Sequence, residues 1–117
     1  MDIESFRKYC LLKKGVTEEF PFGEGTLVYK VAGKMFALTD LDHFESINLK
    51  VDPEQGLLLR ESYPAVQPGF HMNKKHWITV ILDGSVSDKL LIQWIDQSYK
   101  LVVSGLPKRV KHTLGDQ

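Results

Sequence analysis

Thr26-Leu27-Val28-Tyr29-Lys30-Val31-Ala32-Gly33-Lys34-Met35-Phe36-Ala37-Leu38-Thr39 is the stretch that decides the fold class. Two runs rich in β-branched and aromatic residues flank the link Ala32-Gly33, the pattern of a β-hairpin. Alanine tolerates positive φ poorly, so Gly33 is expected to hold the left-handed position, in a bulged turn. Strands joined by so short a link are antiparallel, because a parallel pair needs a crossover of a dozen or more residues. A doubly wound sheet is therefore disfavoured.

Working outward, Ile47, Leu49 and Val51 alternate with Ser46, Asn48 and Lys50, the period of a strand with one buried face. Asp52-Pro53-Glu54-Gln55 then supplies a cap, a first-turn proline and a glutamine three residues after the cap, predicting a short helix to about Glu61. Pro64 and Pro68 enclose a stretch expected to be irregular. Trp77 to Leu82 is apolar except at Thr79 and stops at Asp83-Gly84, so it reads as a strand covered on both faces, expected at the centre of the sheet.

Ile3, Phe6, Tyr9 and Cys10 recur at helical spacing behind Asp2 as a cap, with Gly15 as a left-handed stop. From Ser87 to about Ser104 a longer helix is expected to bury Leu91, Trp94, Ile95, Ser98, Leu101 and Val102, ending at Gly105 and Pro107. These elements imply an α+β domain over residues 1–107, an antiparallel sheet with helices packed on one face, followed by a basic tail, 108–117, read as frayed helix or disordered chain.

The 117 residues fit one domain, and 43% hydrophobic with 26% charged side chains is ordinary globular composition. No apolar run approaches the ~18 residues of a membrane span, and charges interrupt the first residues where a signal peptide would be apolar, so a cytoplasmic protein is expected. The single cysteine, Cys10, excludes an intrachain disulfide and a multi-thiolate zinc site, and its place on a helical apolar stripe predicts a buried, inert thiol. Fifteen Lys and Arg balance fifteen Asp and Glu, which argues against a diffuse positive field. The balance is uneven: residues 1–61 carry net −3 and residues 62–117 net +3.

The densest polar segment is Gln67-Pro68-Gly69-Phe70-His71-Met72-Asn73-Lys74-Lys75-His76-Trp77. Lysines can neutralise phosphates, imidazole and amide groups can donate to them, and aromatic faces can stack on bases. Taken singly, His71, Asn73 and Trp77 also have ordinary structural uses in a loop, a turn and a core. His71 and His76 miss the i, i+4 spacing of helical metal ligands, and Asp40, Asp42 and His43 lack the glycine and distal glutamate of a calcium loop and read as a wet turn. No nucleophile stands beside a base and no glycine-rich phosphate loop is complete, so neither an enzyme nor a cofactor is expected.

The chain resembles the MmcQ/YjbR family of small bacterial proteins. The likeness is carried by Asp52-Pro53-Glu54, Tyr63-Pro64, Pro68-Gly69-Phe70-His71-Met72-Asn73-Lys74, His76-Trp77, Leu82-Asp83-Gly84-Ser85 and Ser98-Tyr99. It implies a fold similar to bacterial frataxin (CyaY-like) and a DNA-binding role with a double-wing arrangement of loops. Of the shared run, His71, Asn73, Lys74, His76 and Trp77 carry over. Charge adds Lys75 and the tail residues Lys108, Arg109 and Lys111 as candidate DNA contacts, on a chain expected to be monomeric. Iron handling is not implied, since Asp2 and Glu4 stand against Arg7, Lys8, Lys13 and Lys14 on the first helix. The competing expectation is a protein- or small-ligand-binding domain in which the His-Met-Asn-Lys-x-His-Trp run is structural.

Overall fold

A computed structural model describes residues 1–114; the last three residues of the expected tail lie outside the described residues. The chain folds as α1 (Ile3–Leu11), β1 (Val16–Glu19), β2 (Thr26–Val31), β3 (Lys34–Asp40), β4 (Ser46–Lys50), α2 (Pro53–Ser62), β5 (Val66–Pro68), β6 (Trp77–Ile81), α3 (Asp88–Ser104) and α4 (Lys108–Thr113). Six antiparallel strands run in the order β1-β2-β3-β4-β6-β5, with helices on one face, so the fold is α+β as expected. No helix among the described residues is long and apolar enough to cross a membrane.

Caps start α1, α2 and α3 where the sequence places them. Asp2 accepts from the Ser5 amide, Asp52 from those of Glu54 and Gln55, and Ser87 from that of Leu90. The α3 stripe departs from expectation at its C-terminal end, where Tyr99 and Val103 are buried and Leu101 is only half-buried. Gly15 does take positive φ (+74°), four residues after the helix ends.

The decisive hairpin forms, with two local corrections. Ala32 as well as Gly33 has positive φ (51° and 78°), so the link is a tight two-residue turn and the bulge lies elsewhere. Lys30 pairs with Met35 and Tyr29 with Ala37, leaving Phe36 as the extra residue. The bulge turns both Phe36 and Ala37 toward the helices, where Phe36 meets the Tyr99 ring edge-on at 5.4 Å.

Ser98 of α3 completes this joint. Its hydroxyl donates to the Phe36 carbonyl (2.5 Å) and accepts from the Lys50 amide (2.9 Å), so one fully buried oxygen satisfies two backbone groups that the ladder leaves open. Ser98→Ala is expected to cost about 1 to 3 kcal/mol, the penalty of orphaned buried polar groups. Chemical denaturation checks this, and a loss under ~0.5 kcal/mol would contradict it.

Two short edge strands, β1 and β5, were not foreseen. They place β6 second from an edge rather than at the centre, which β3 and β4 occupy. β6 is nevertheless covered on both sides. Ile78 and Val80 join the core under the helices, while Trp77 packs on the other face with Val28, Leu38, Met35 and Met72. The tail is ordered over 108–113 as α4, with Val110 packed on the core and Leu114 buried beside Gly15 and Val31.

Candidate functional site

The loop 69–76 is built by its own side chains. A Cβ at Gly69 would lie 2.7 Å from the Trp77 Cβ, so only glycine lets the chain turn there. The Phe70 amide donates to Thr79 Oγ1 (2.8 Å), folding the loop back over the open sheet face, and His71 takes positive φ (58°). Asn73 Oδ1 accepts from the Lys75 and His76 amides, at 2.9 and 3.3 Å, and its carbonyl accepts from the Trp77 amide. Asn73 therefore closes the turn that starts β6. Trp77 is 8% exposed, so it supports the open face and offers no ring for a base to stack on. The Lys74 amine donates to the Gly69 carbonyl, Arg60 donates to the Lys74 carbonyl (3.2 Å), and Lys75 and His76 are exposed.

Antiparallel pairing sorts the connections into two groups at opposite ends of the strands. The register puts Val16, Val31, Lys34, Lys50, Trp77 and Pro68 at one end, and Thr26, Asp40, Ser46 and Ile81 at the other. At the first end the connections, strand termini and adjoining helices bring together Lys13, Lys14, Lys34, Lys50, Lys74, Lys75, Lys108 and Arg109, against Asp52, Glu54 and Asp96. Asp52 is engaged as the α2 cap and Lys13 is paired with Asp96. At the second end, residues 20–25, 40–45 and 82–87 contain Glu24, Asp40, Asp42, Glu45 and Asp83 and no Lys or Arg at all. A neutral chain thus carries a basic end and an acidic end.

A family model described as YjbR matches residues 11–101. The chain belongs to the YjbR family. This YjbR-family chain is 33% identical over 115 residues to the YjbR protein of Escherichia coli K12, covering 97% of this chain and 98% of that one. It is 47% identical over 91 residues to the YbdF protein of Escherichia coli O157:H7, 77% of this chain and 75% of the relative. Among solved structures, the DR2400 protein of Deinococcus radiodurans superposes with a TM-score of 0.90 at 42% identity, over 97% of this chain and 87% of that one. A Pseudomonas syringae protein does so with a TM-score of 0.73 at 30% identity, over 86% of this chain and 98% of its own.

Of the residues singled out from the sequence of this YjbR-family chain, Lys74, Lys75, His76, Lys108 and Arg109 sit at the basic end, and Lys111 lies half-buried on α4 beside them. Asn73 and Trp77 are at the same end but serve the turn and the packing. His71 is carried away, over the open face toward Asp40 and Asp42. Sequence reading ranked Lys34, in the early hairpin, below Lys74 and Lys75 on charge and passed over Lys50; both stand at strand termini on the side of the sheet where the chain keeps returning with lysines. Cys10 is fully buried and burial pushes its thiol far up, leaving it an inert core residue. No group of three or more His, Cys, Asp or Glu among the described residues could hold a metal.

Proposed function

We propose that this protein binds duplex DNA through the basic end of its sheet, without catalysis and without a cofactor. The observation that carries the reading is the sorting of charge. Lysines and an arginine collect at one end of the strands while the loops of the other end hold only acidic formal charge. A phosphate backbone is drawn to the first and repelled by the second, which orients the molecule before contact.

Two projections from the basic end act as the wings: the β2–β3 turn, carrying Lys34, and the loop 69–76, carrying Lys74 and Lys75. Lys50 lies between them at the end of β4, and α4 adds Lys108 and Arg109. Lys74 donates to the neutral Gly69 carbonyl, and none of these cations forms an ion pair with an acidic side chain among the described residues, so their charge is available to phosphates. The protein acts as a monomer on DNA in the bacterial cytoplasm.

Backbone contacts alone carry no sequence information, so affinity is expected to vary little with sequence and strongly with salt. Fluorescence anisotropy with a labelled duplex, repeated across ionic strength, tests this. If Lys34, Lys50, Lys74, Lys75, Lys108 and Arg109 all meet phosphates, the log-log slope approaches about −5, and fewer contacts make it shallower. Absence of binding at low salt, or affinity indifferent to salt, overturns the reading.

A further inference from the structure

The open face of the sheet holds a second feature, separate from the basic end. Phe70, His71 and Met72 fold back over β4 and β6 and face the loops 20–25 and 40–45 across a cleft of about 560 Å³. Small-molecule sites typically fall between roughly 300 and 1,000 Å³. Leu38 of β3 and Asn48 of β4 line it from the sheet, and Phe22 and Phe70 line it from two different loops at 62% and 46% exposed. Two large aromatic side chains left this open on one cleft are unusual for surface residues and suit a flat apolar guest.

The polar groups of the cleft are set in advance. The Phe70 amide donates to Thr79 Oγ1, so the Thr79 hydroxyl donates in turn to Asn48 Oδ1 (2.6 Å). This chain fixes which way the Asn48 amide points and leaves its NH₂ without a protein acceptor among the described residues. At the acidic end of the cleft stand Asp40 and Asp42. The Asp42 amide caps Asp40 Oδ1 (2.9 Å), and the Leu41 amide donates to the Gly25 carbonyl (2.9 Å), tying the two loops together. Asp42 Oδ2 lies 3.4 Å from where a Gly25 side chain would begin, so its carboxylate stands beside the loop 20–25 in the cleft lining. Neither carboxylate has a cationic partner among the described residues.

We propose that this cleft binds a small aromatic amine, its ring between Phe22 and Phe70 over Leu38 and its protonated nitrogen on Asp40 and Asp42. Charge complementarity selects the amine. Asp40 and Asp42 are the acidic residues of the cleft lining, which holds no Lys or Arg, so its field favours a cation over an anionic ligand of the same shape. The same field keeps DNA away, so the two sites do not compete. This inference does not rest on the DNA reading, and its test contains no DNA.

Tryptamine serves as the probe and indole-3-propionate, with the same ring and opposite charge, as its control. Titrations are followed by ¹⁵N–¹H correlation spectra of the intact protein. Saturable tryptamine shifts are expected at the amides of residues 22–25, 38–42, 48 and 70–72, with none from the anion. Asp42→Asn should weaken binding about tenfold, as loss of a charged hydrogen bond does. Phe70→Ala should weaken it comparably, and unchanged spectra away from the cleft report that both variants keep the fold. Shifts that do not saturate by about 10 mM, the weak limit for a ligand of this size, overturn the proposal. Equal binding of the anion, or indifference to both substitutions, does the same.

Discussion

Trp94→Ala is expected to lose about 3 to 5 kcal/mol of stability, the range for deleting a large aromatic side chain from a core. Trp94 is 5% exposed on the buried stripe of α3, and its ring meets Tyr63 edge-on at 5.2 Å between centroids. Tyr63 is the residue that ends α2, and Leu59 of α2 belongs to the same core cluster. The indole is thus the wedge between two helices, and its removal leaves a void that neither helix can close without leaving the sheet. Urea denaturation reads the loss as a lower midpoint with an unchanged slope. A loss below ~1 kcal/mol would mean that the α2–α3 joint does not depend on this ring.

The larger functional effect is expected from Lys34, Lys74 and Lys75 replaced together by Glu. Lys34 starts β3 and Lys74 and Lys75 lie in the loop 69–76, at one end of the sheet, and on the proposed reading reversal both removes phosphate contacts and adds repulsion. Duplex affinity at moderate salt should fall on the order of a hundredfold or more, and the salt slope should roughly halve. Lys30 separates the wing account from a simple count of charge. It is on β2 near Lys34 but pairs with Glu19 at 3.2 Å, so Lys30→Gln should change affinity far less than Lys34→Gln. At the other end, Glu24→Gln with Glu45→Gln should leave binding unchanged or slightly tighter. Equal losses from substitutions at both ends would remove the polarity argument.

How much of this was legible before the structure depends on whether a feature is local. Asp2, Asp52 and Ser87 are caps by chemistry that acts within one turn, so the starts of α1, α2 and α3 were readable. The hairpin was readable because Gly33 and the flanking runs signal it without help from the rest of the chain. The strands β1 and β5 were not. Val16–Glu19 is stabilised by pairing with β2 and by Glu18, which accepts from Arg7 and Tyr29, partners distant in sequence. Val66–Pro68 hides behind prolines that an edge strand tolerates and a central strand does not.

The candidate site shows the same division. Lys74 and Lys75 were legible as adjacent cations, and Asn73 was legible as a turn closer. That Lys34 and Lys50 share their end of the molecule follows only from strand register, which a half-by-half charge count cannot see. The count placed the positive charge in residues 62–117, and by that map Lys34 ranked below Lys74 and Lys75. The displacement of His71 toward Asp40 and Asp42 depends on the loop folding back through Phe70 and Thr79, a contact with no local signature.

The central claim is that DNA meets the basic end and no other part of the surface. The most direct test is a ¹⁵N–¹H correlation titration of the protein with a short duplex at low salt. The account predicts progressive shifts at residues 34, 50, 74–76 and 108–111, with the amides of residues 24, 40–45 and 83 unmoved. Shifts centred on the acidic loops, or no shifts anywhere at duplex saturation, would contradict it.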